Sequence, residues 1–303
     1  MTILHIPEYT VEFSDSNVIN DKVKNLYLKF EEQNWKTSDL CWDADYDRTN
    51  PMNIDDRSLP IFNSSLWQSF SEEEKTQYRL HSQAAMLSNM VFSEHHGAMA
   101  LGKIITMLPD YTSRLFMSTQ LLDEFRHAEI LQKAFSSRFN ISYSIKPKAI
   151  SLIENSLISD SWDRAYLVIL MFEVFANLHY LKLSKTSNDP LFLQIFQKIH
   201  HDEARHMAYT KFLMNDYFSN LSQDEITDRE DVILGLVDNI EEYFSHYQLV
   251  ERLGYDREQF EAAYTEHNTG IKKVILVQLS TFLESLNLYT PRLKSSFEKI
   301  SVS

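Results

Sequence analysis

The chain has a single cysteine, Cys41, so no internal disulfide is possible and a reducing, cytoplasmic setting is the expected localisation. Glycine (5) and proline (7) are scarce among 303 residues. With so few breakers, and with Leu, Met, Phe and Tyr plentiful, a mostly helical protein is expected. Basic residues are outnumbered: the net charge of −14 excludes a surface built to neutralise phosphates, so nucleic acid is not an expected partner. No apolar run reads as long enough to span a bilayer, and Met1–Tyr9 lacks a signal-peptide core, so no membrane association is expected. A cysteine set for an iron–sulfur cluster and a Gly-rich nucleotide turn are missing too, so electrons needed for redox chemistry must come from outside.

What the chain does have is one short motif spelled twice. Asp123-Glu124-Phe125-Arg126-His127 is echoed by Asp202-Glu203-Ala204-Arg205-His206. On a helix the Glu and His of each copy, three apart, share a face and can grip one metal ion. A further glutamate lies 30 residues before each copy: Glu94 before Glu124, and Glu173 before Glu203. One offset, 79 residues, relates Glu94 to Glu173, Glu124 to Glu203 and His127 to His206. Four carboxylates and two imidazoles in matched halves point to a dinuclear metal site, because buried acids in such number are very costly without cations. Carboxylate oxygen and imidazole nitrogen ligands of this kind suit Fe(II), Mn(II) and sometimes Zn.

Helix signals place the motif. Ser71-Glu72-Glu73-Glu74 is a capping-box start for a helix running toward Met107, and Leu108-Pro109-Asp110 ends it. A second helix spans about Thr112–Ser137. After a less regular stretch, 139–160, a third covers about Trp162–Lys185 and is apolar nearly all round, which makes Glu173 conspicuous. Asn188-Asp189-Pro190 breaks it, and a fourth helix runs from about Leu191 to Phe218. The midpoint between Glu94 and Glu124 is residue 109 and between Glu173 and Glu203 it is 188, both on these breaks. Two antiparallel hairpins would therefore set each glutamate pair at one height, about 20 Å from its turn. Residues 1–60, with one helix near Asn20–Gln33, read as an arm wrapping the core. Residues 219–303 read as three supporting helices, near Arg229–Leu253, Arg257–Glu266 and Gly270–Leu288, without a polar constellation, offering core support or a homodimer surface. A single domain over 1–303 is expected, with the metal-binding bundle at 62–218.

The pattern Glu94, Glu124/His127, Glu173, Glu203/His206 resembles that of the ferritin-like diiron-carboxylate oxygenases. The resemblance implies an all-α fold: a ferritin-like four-helix bundle with additional N- and C-terminal helices. It implies two iron ions, or a Mn/Fe pair, with O2 as cosubstrate, a small-molecule substrate, and a ferredoxin or reductase as electron donor. Asp123 and Asp202 match the aspartates that accept a hydrogen bond from a ligand histidine in that superfamily. Arg126 and Arg205 would balance the acidic layer. Phe172-Glu173-Val174-Phe175-Ala176-Asn177 resembles bacterial multicomponent monooxygenase hydroxylases, with Ala176 where those usually carry threonine. Leu131 stands where ribonucleotide reductase radical subunits have tyrosine, which disfavours a tyrosyl radical. Trp67 with Ser71-Glu72-Glu73, and Ile199-His200 before the last ligands, are similar to the arylamine N-oxygenases. Those usually have a third histidine at the position of Ile199; His200, within about 60° of Glu203 on the helix, is the candidate extra ligand or donor. His95, His96 and His201 face elsewhere. Small residues at Gly97 and Ala176 leave room beside the ions, and Met90, Leu121, Asn177, Tyr180 and Phe196 are the remaining candidate pocket walls. N-oxygenation of an amine is the leading expectation, ahead of C–H hydroxylation or desaturation. Ferritin-like iron storage and a catalytically silent scaffold are the rivals from other classes.

Overall fold

The computed structural model describes residues 21–108, 110–145, 147–237 and 247–302. The helices are α1 (Asp21–Gln33), α2 (Ser65–Ser69), α3 (Glu72–Met107), α4 (Tyr111–Arg138), α5 (Pro147–Ile158), α6 (Trp162–Thr186), α7 (Pro190–Phe218), α8 (Gln223–Val237), α9 (Tyr247–Leu253), α10 (Arg257–Ser285) and α11 (Pro291–Val302). Among the described residues the β structure is one isolated bridge, between Ile54 and Ser187. Three of the four ligand-bearing helices start at a side-chain cap. Ser71 Oγ accepts from the Glu74 N–H, and the Glu74 carboxylate accepts from the Ser71 N–H at 2.7 Å. Asp110 accepts from Ser113 N–H to begin α4. Asp189 accepts from Leu191 and Phe192 N–H to begin α7, whose first residue is Pro190.

Helices α3 with α4, and α6 with α7, form the two hairpins, and α3–α6 and α4–α7 contacts close the bundle. The α6–α7 break falls at the expected residue 188, while Pro109, the midpoint of the first hairpin, lies outside the described residues. Two apolar cores fill the bundle. One holds Leu101, Ile104, Phe116, Met117, Tyr166 and Tyr209; the other holds Leu87, Met90, Ile130, Leu131, Tyr180, Phe196 and Ile199. On every one of the four helices the ligand-bearing residues lie in sequence between members of these two cores. The carboxylates therefore form one polar layer sandwiched by hydrocarbon, where charge is least screened.

Of the N-terminal arm, whose first 20 residues lie outside the described residues, α1 packs on α4 and α7. Residues 52–54 clamp the α6–α7 turn, with Ser187 Oγ donating to Met52 O at 2.6 Å and Asn188 N–H to Asn53 O at 3.0 Å. Asn53 sits at φ 45°, a left-handed position that asparagine tolerates.

Three expectations need correction. The 139–160 stretch contains a full helix, α5, which starts at Pro147 as a proline at a first turn should. In the C-terminal part, α8 and α9 flank residues outside the description, α10 is one continuous helix where two were expected, and α11 was not anticipated. Gly270 was taken as a helix boundary, but it lies within α10. Finally, α6 is long and apolar enough by length and composition to cross a membrane. Its apolar girdle is used within the protein: Ala165 through Met171 are all buried, against α7, α3, α5 and α8.

Candidate metal centre and its cavity

The six expected ligands meet. Glu94, Glu124, His127 and Glu203 form one group, and Glu124, Glu173, Glu203 and His206 a second; in each, one ligand atom per residue lies within 4.8 Å of the others. Glu124 and Glu203 belong to both groups, so each would be shared by the two ions of a pair. His127 Nδ1 lies 3.4, 3.5 and 3.7 Å from oxygens of Glu94, Glu203 and Glu124. His206 Nδ1 lies 3.1, 3.2 and 3.5 Å from Glu124, Glu203 and Glu173. Both rings thus aim the same nitrogen at the carboxylates.

Their other nitrogens are fixed from behind, and the pairing is crossed. His127 Nε2–H donates to Asp202 at 3.2 Å, and His206 Nε2–H donates to Asp123 at 3.2 Å. Each histidine is oriented by the aspartate of the other hairpin. Arg126 donates to both aspartates and Arg205 does the same, and all four side chains are buried. Two acids and two guanidiniums leave this layer without net charge. Trp35, from the arm, adds an indole N–H to Asp202 at 2.9 Å, and the Arg126 guanidinium lies 4.2 Å from its ring centroid.

The donor set fits a pair of divalent cations. Glu124 Oε1, Glu173 Oε2 and His127 Nδ1 are buried without a hydrogen-bond partner among the described residues, which a native interior rarely tolerates. Four carboxylates with two neutral imidazoles carry four negative charges, which two divalent ions cancel. Without ions, protons do that work. Burial pushes Glu124 up to about 8, helped by the charge of Glu173, and burial drives Glu203 well above the carboxylate range, helped by Glu173 and Glu124. Burial opposes charge on both imidazoles too, yet Asp202 behind His127, Asp123 behind His206, and the glutamates raise both. Burial also works against ionised Glu94 and Glu173. In Glu94 it is outweighed by His127, Glu124 and Tyr180, and in Glu173 by Glu203, His206 and Gln120, which bring it down to about 2.

Two partners of the glutamates escaped the sequence reading. Gln120 Nε2 donates to Glu173 at 2.7 Å, and its place one turn before Glu124 could have revealed it. Tyr180, expected only as a pocket wall, also donates its hydroxyl to Glu94. Trp35 had no such signal, being 167 residues from Asp202.

All four glutamates line a cavity of about 1610 Å³. Met90, Gly97, Ala176 and Tyr180 are on its wall as expected. Leu121, Asn177 and Phe196 are not. Leu121 packs into the first apolar core, and Phe196 is fully buried against Phe192 and Tyr180. Asn177 has its backbone against the ring of His200. His200 joins neither ligand group, because one residue of register turns it toward α6 and burial lowers its pKa there. His201 and His95 are exposed. The outer wall comes from residues 57–69 and from α10, whose contribution was not foreseen.

A family model described as P-aminobenzoate N-oxygenase AurF matches residues 19–268. Among solved structures, the "X-ray crystal structure of Streptococcus sanguinis dimanganese(II)-NrdF" is similar over 97% of this chain and 100% of that one, with 15% identity and a TM-score of 0.53, which shows a shared fold. A comparison with curated proteins finds no match. With its ferritin-like bundle and two-metal donor set, the chain belongs to the p-aminobenzoate N-oxygenase AurF family and is a diiron oxidoreductase.

Proposed function

We propose that this protein oxygenates the nitrogen of a small amine, with Glu94 and His127 holding one iron, Glu173 and His206 the other, and Glu124 and Glu203 shared between them. A mixed Mn/Fe pair is the alternative loading. The observation that carries the reading is a buried Glu4His2 cluster opening directly onto a substrate-sized cavity, in a chain that matches an N-oxygenase family over most of its length. Bound iron supplies the activation of O2. The protein's own residues do the rest. Asp123 and Asp202 fix the tautomer and angle of the two imidazoles. Tyr180 and Gln120 hold the two unshared glutamates. Gly97 and Ala176 leave space beside the carboxylates, while Met90, Phe172 and Phe175 keep the wall apolar and exclude water.

Each turnover needs two electrons from an external ferredoxin or reductase, since one cysteine cannot build a cluster. We further propose a single domain over 1–303, a homodimer and a cytoplasmic location. The test is to reduce the iron-loaded protein, add O2 and p-aminobenzoate or p-butylaniline, and follow products by mass spectrometry. Hydroxylamine or nitro products support the reading. Oxygen inserted only at carbon, or O2 consumption without amine oxidation across an amine panel, overturns it in favour of hydroxylation.

A further inference from the structure

Gln120, which holds Glu173, is itself held. Its Oε1 accepts from the Tyr166 hydroxyl at 3.5 Å, and that hydroxyl lies 2.8 Å from Thr210 Oγ1. Three helices contribute one residue each. Gln120 stands one turn before Glu124 on α4 and Thr210 one turn after His206 on α7, while Tyr166 stands seven residues before Glu173 on one face of α6. All three are fully buried. None of them lines the cavity, so none meets a substrate there. Beyond Thr210 the next group is the carbonyl of His206 at 2.9 Å, so the chain of bonds closes inside the protein and brings in no proton from solvent.

Packing does not require these polar groups. The 79-residue offset pairs Gln120 with Ile199, Tyr166 with Leu87 and Thr210 with Leu131. Those three are fully buried too, and all belong to one apolar core. Matching positions in the two halves of the bundle are filled once by hydrocarbon and once by a polar trio. Polar groups in such a place cost free energy unless each is satisfied, so their presence on one side answers to something other than filling space.

Each hydroxyl has one proton to give. If Thr210 gives its proton to His206 O, Tyr166 must give its own to Thr210, since two lone pairs would otherwise meet at 2.8 Å. Gln120 Oε1 is then left buried without a donor. If Thr210 gives to Tyr166 instead, Tyr166 gives to Gln120 Oε1, and Gln120 Nε2–H goes to Glu173 Oε1 at 2.7 Å. Only this order serves every group, because His206 O already has the helical N–H of Thr210. A carboxamide turned over keeps its shape but would set its oxygen against the Glu173 carboxylate. The Tyr166 proton on Oε1 prevents that. With Glu173 Oε1 so occupied, the oxygen left for an ion is Oε2, buried without a partner among the described residues and 3.5 Å from His206 Nδ1.

We propose that Tyr166, backed by Thr210, is a positioning residue for the ion assigned to Glu173 and His206: it locks the Gln120 carboxamide and so keeps Glu173 presenting a single oxygen. The other half has no such lock, since Glu94 takes its bond directly from the Tyr180 hydroxyl. The inference rests on the six-ligand reading and on nothing about the substrate.

The test is stepwise Fe(II) titration of the full chain under argon, read by competition with a chelator. Tyr166→Phe is expected to weaken the Glu173 and His206 step by about two- to tenfold, the range for one neutral hydrogen bond, and to leave the other step in place. Thr210→Val should act in the same direction, and Thr210→Ser, which keeps the donor, should titrate like wild type. Tyr166→Phe combined with Gln120→Leu should bind no more weakly than Gln120→Leu alone, because Tyr166 acts through Gln120. The metal-free triple variant Gln120→Leu, Tyr166→Phe, Thr210→Val should melt no lower than the metal-free wild type, as replacing every partner by apolar groups of like shape allows. Additive losses in the double variant, equal displacement of both steps, or a lower melting temperature in the triple variant would each make the trio a structural network and overturn the proposal. Fewer than two ions in the wild type overturns the ligand reading and this inference with it. Two ions in the wild type with an unmoved Glu173 step in Tyr166→Phe overturns this inference alone.

Discussion

In the first hairpin the unshared glutamate, Glu94, is held by a tyrosine of the second; in the second, Glu173 is held by a glutamine of the first. The 79-residue offset that maps every ligand onto its twin does not map these supports. The counterpart of Tyr180 is Leu101, and that of Gln120 is Ile199, both fully buried and apolar. The arm widens the difference, for Trp35 reaches Asp202 while Asp123 receives no indole. The ligand set is duplicated, whereas the surroundings that tune it are not. Two ions held here would occupy chemically unequal positions, one with its glutamate bonded by a tyrosine hydroxyl and the other with its glutamate bonded by a carboxamide.

The largest expected effect tests the duplicated part. Glu203→Ala and Glu124→Ala should each lose most of both metals, because each residue serves both groups. Glu94→Ala and Glu173→Ala should each lose chiefly one. Metal analysis after gel filtration decides, and two ions per chain in Glu124→Ala and Glu203→Ala would refute the ligand assignment. Next come the crossed aspartates. Asp202→Asn and Asp123→Asn should weaken metal binding by about 10–100-fold, as removal of a partner behind a ligand histidine usually does. Chelator competition in double variants checks the crossing. Asp202→Asn should cost little once His127 is replaced by alanine, yet keep its full cost beside His206→Ala.

Much of this was legible in the sequence, for a definite reason. A helix converts spacing into direction, so Glu124 with His127, and Glu203 with His206, had to share a face. The capping box at Ser71 and the breaks at Leu108-Pro109-Asp110 and Asn188-Asp189-Pro190 marked where the helices start and end, and the equal lengths of chain between glutamates set their common height. The crossing of Asp123 and Asp202 was not legible, since it depends on how far α4 stands from α7 and on the rotation of both. Nor was Trp35, whose partner is reached through the path of the arm. Residues 139–160 hid α5 because Pro147 reads as a break when it is in fact a first-turn residue. His200 shows the limit of angle alone: the right quadrant still left it one residue out of register and against Asn177.

The supports sharpen the comparison at a smaller scale. Tyr180→Phe should weaken chiefly the ion bound by Glu94 and His127, and Gln120→Leu chiefly the one bound by Glu173 and His206. Each removes a hydrogen bond to a charged group, worth about 1.5–3 kcal/mol. Stepwise metal titration should show one binding step displaced in each variant and the other retained. Displacement of both steps by either change would mean that the halves are coupled too tightly to be told apart.

The smallest effect belongs to Trp35→Phe, which keeps most of the ring and deletes the N–H donated to Asp202. Asp202 still has Arg126, Arg205 and His127, so the cost should fall below the usual range for a bond to a charged group, at about 1 kcal/mol. The loss should appear as a few-fold weaker step for the ion on His127, with the His206 step unchanged. Because Asp202 orients the histidine of the opposite hairpin, Trp35 would act on that ion through Asp202. A variant in which the His206 step moved instead would place the influence of the arm on Asp123, and the crossed pairing would lose its mechanical meaning.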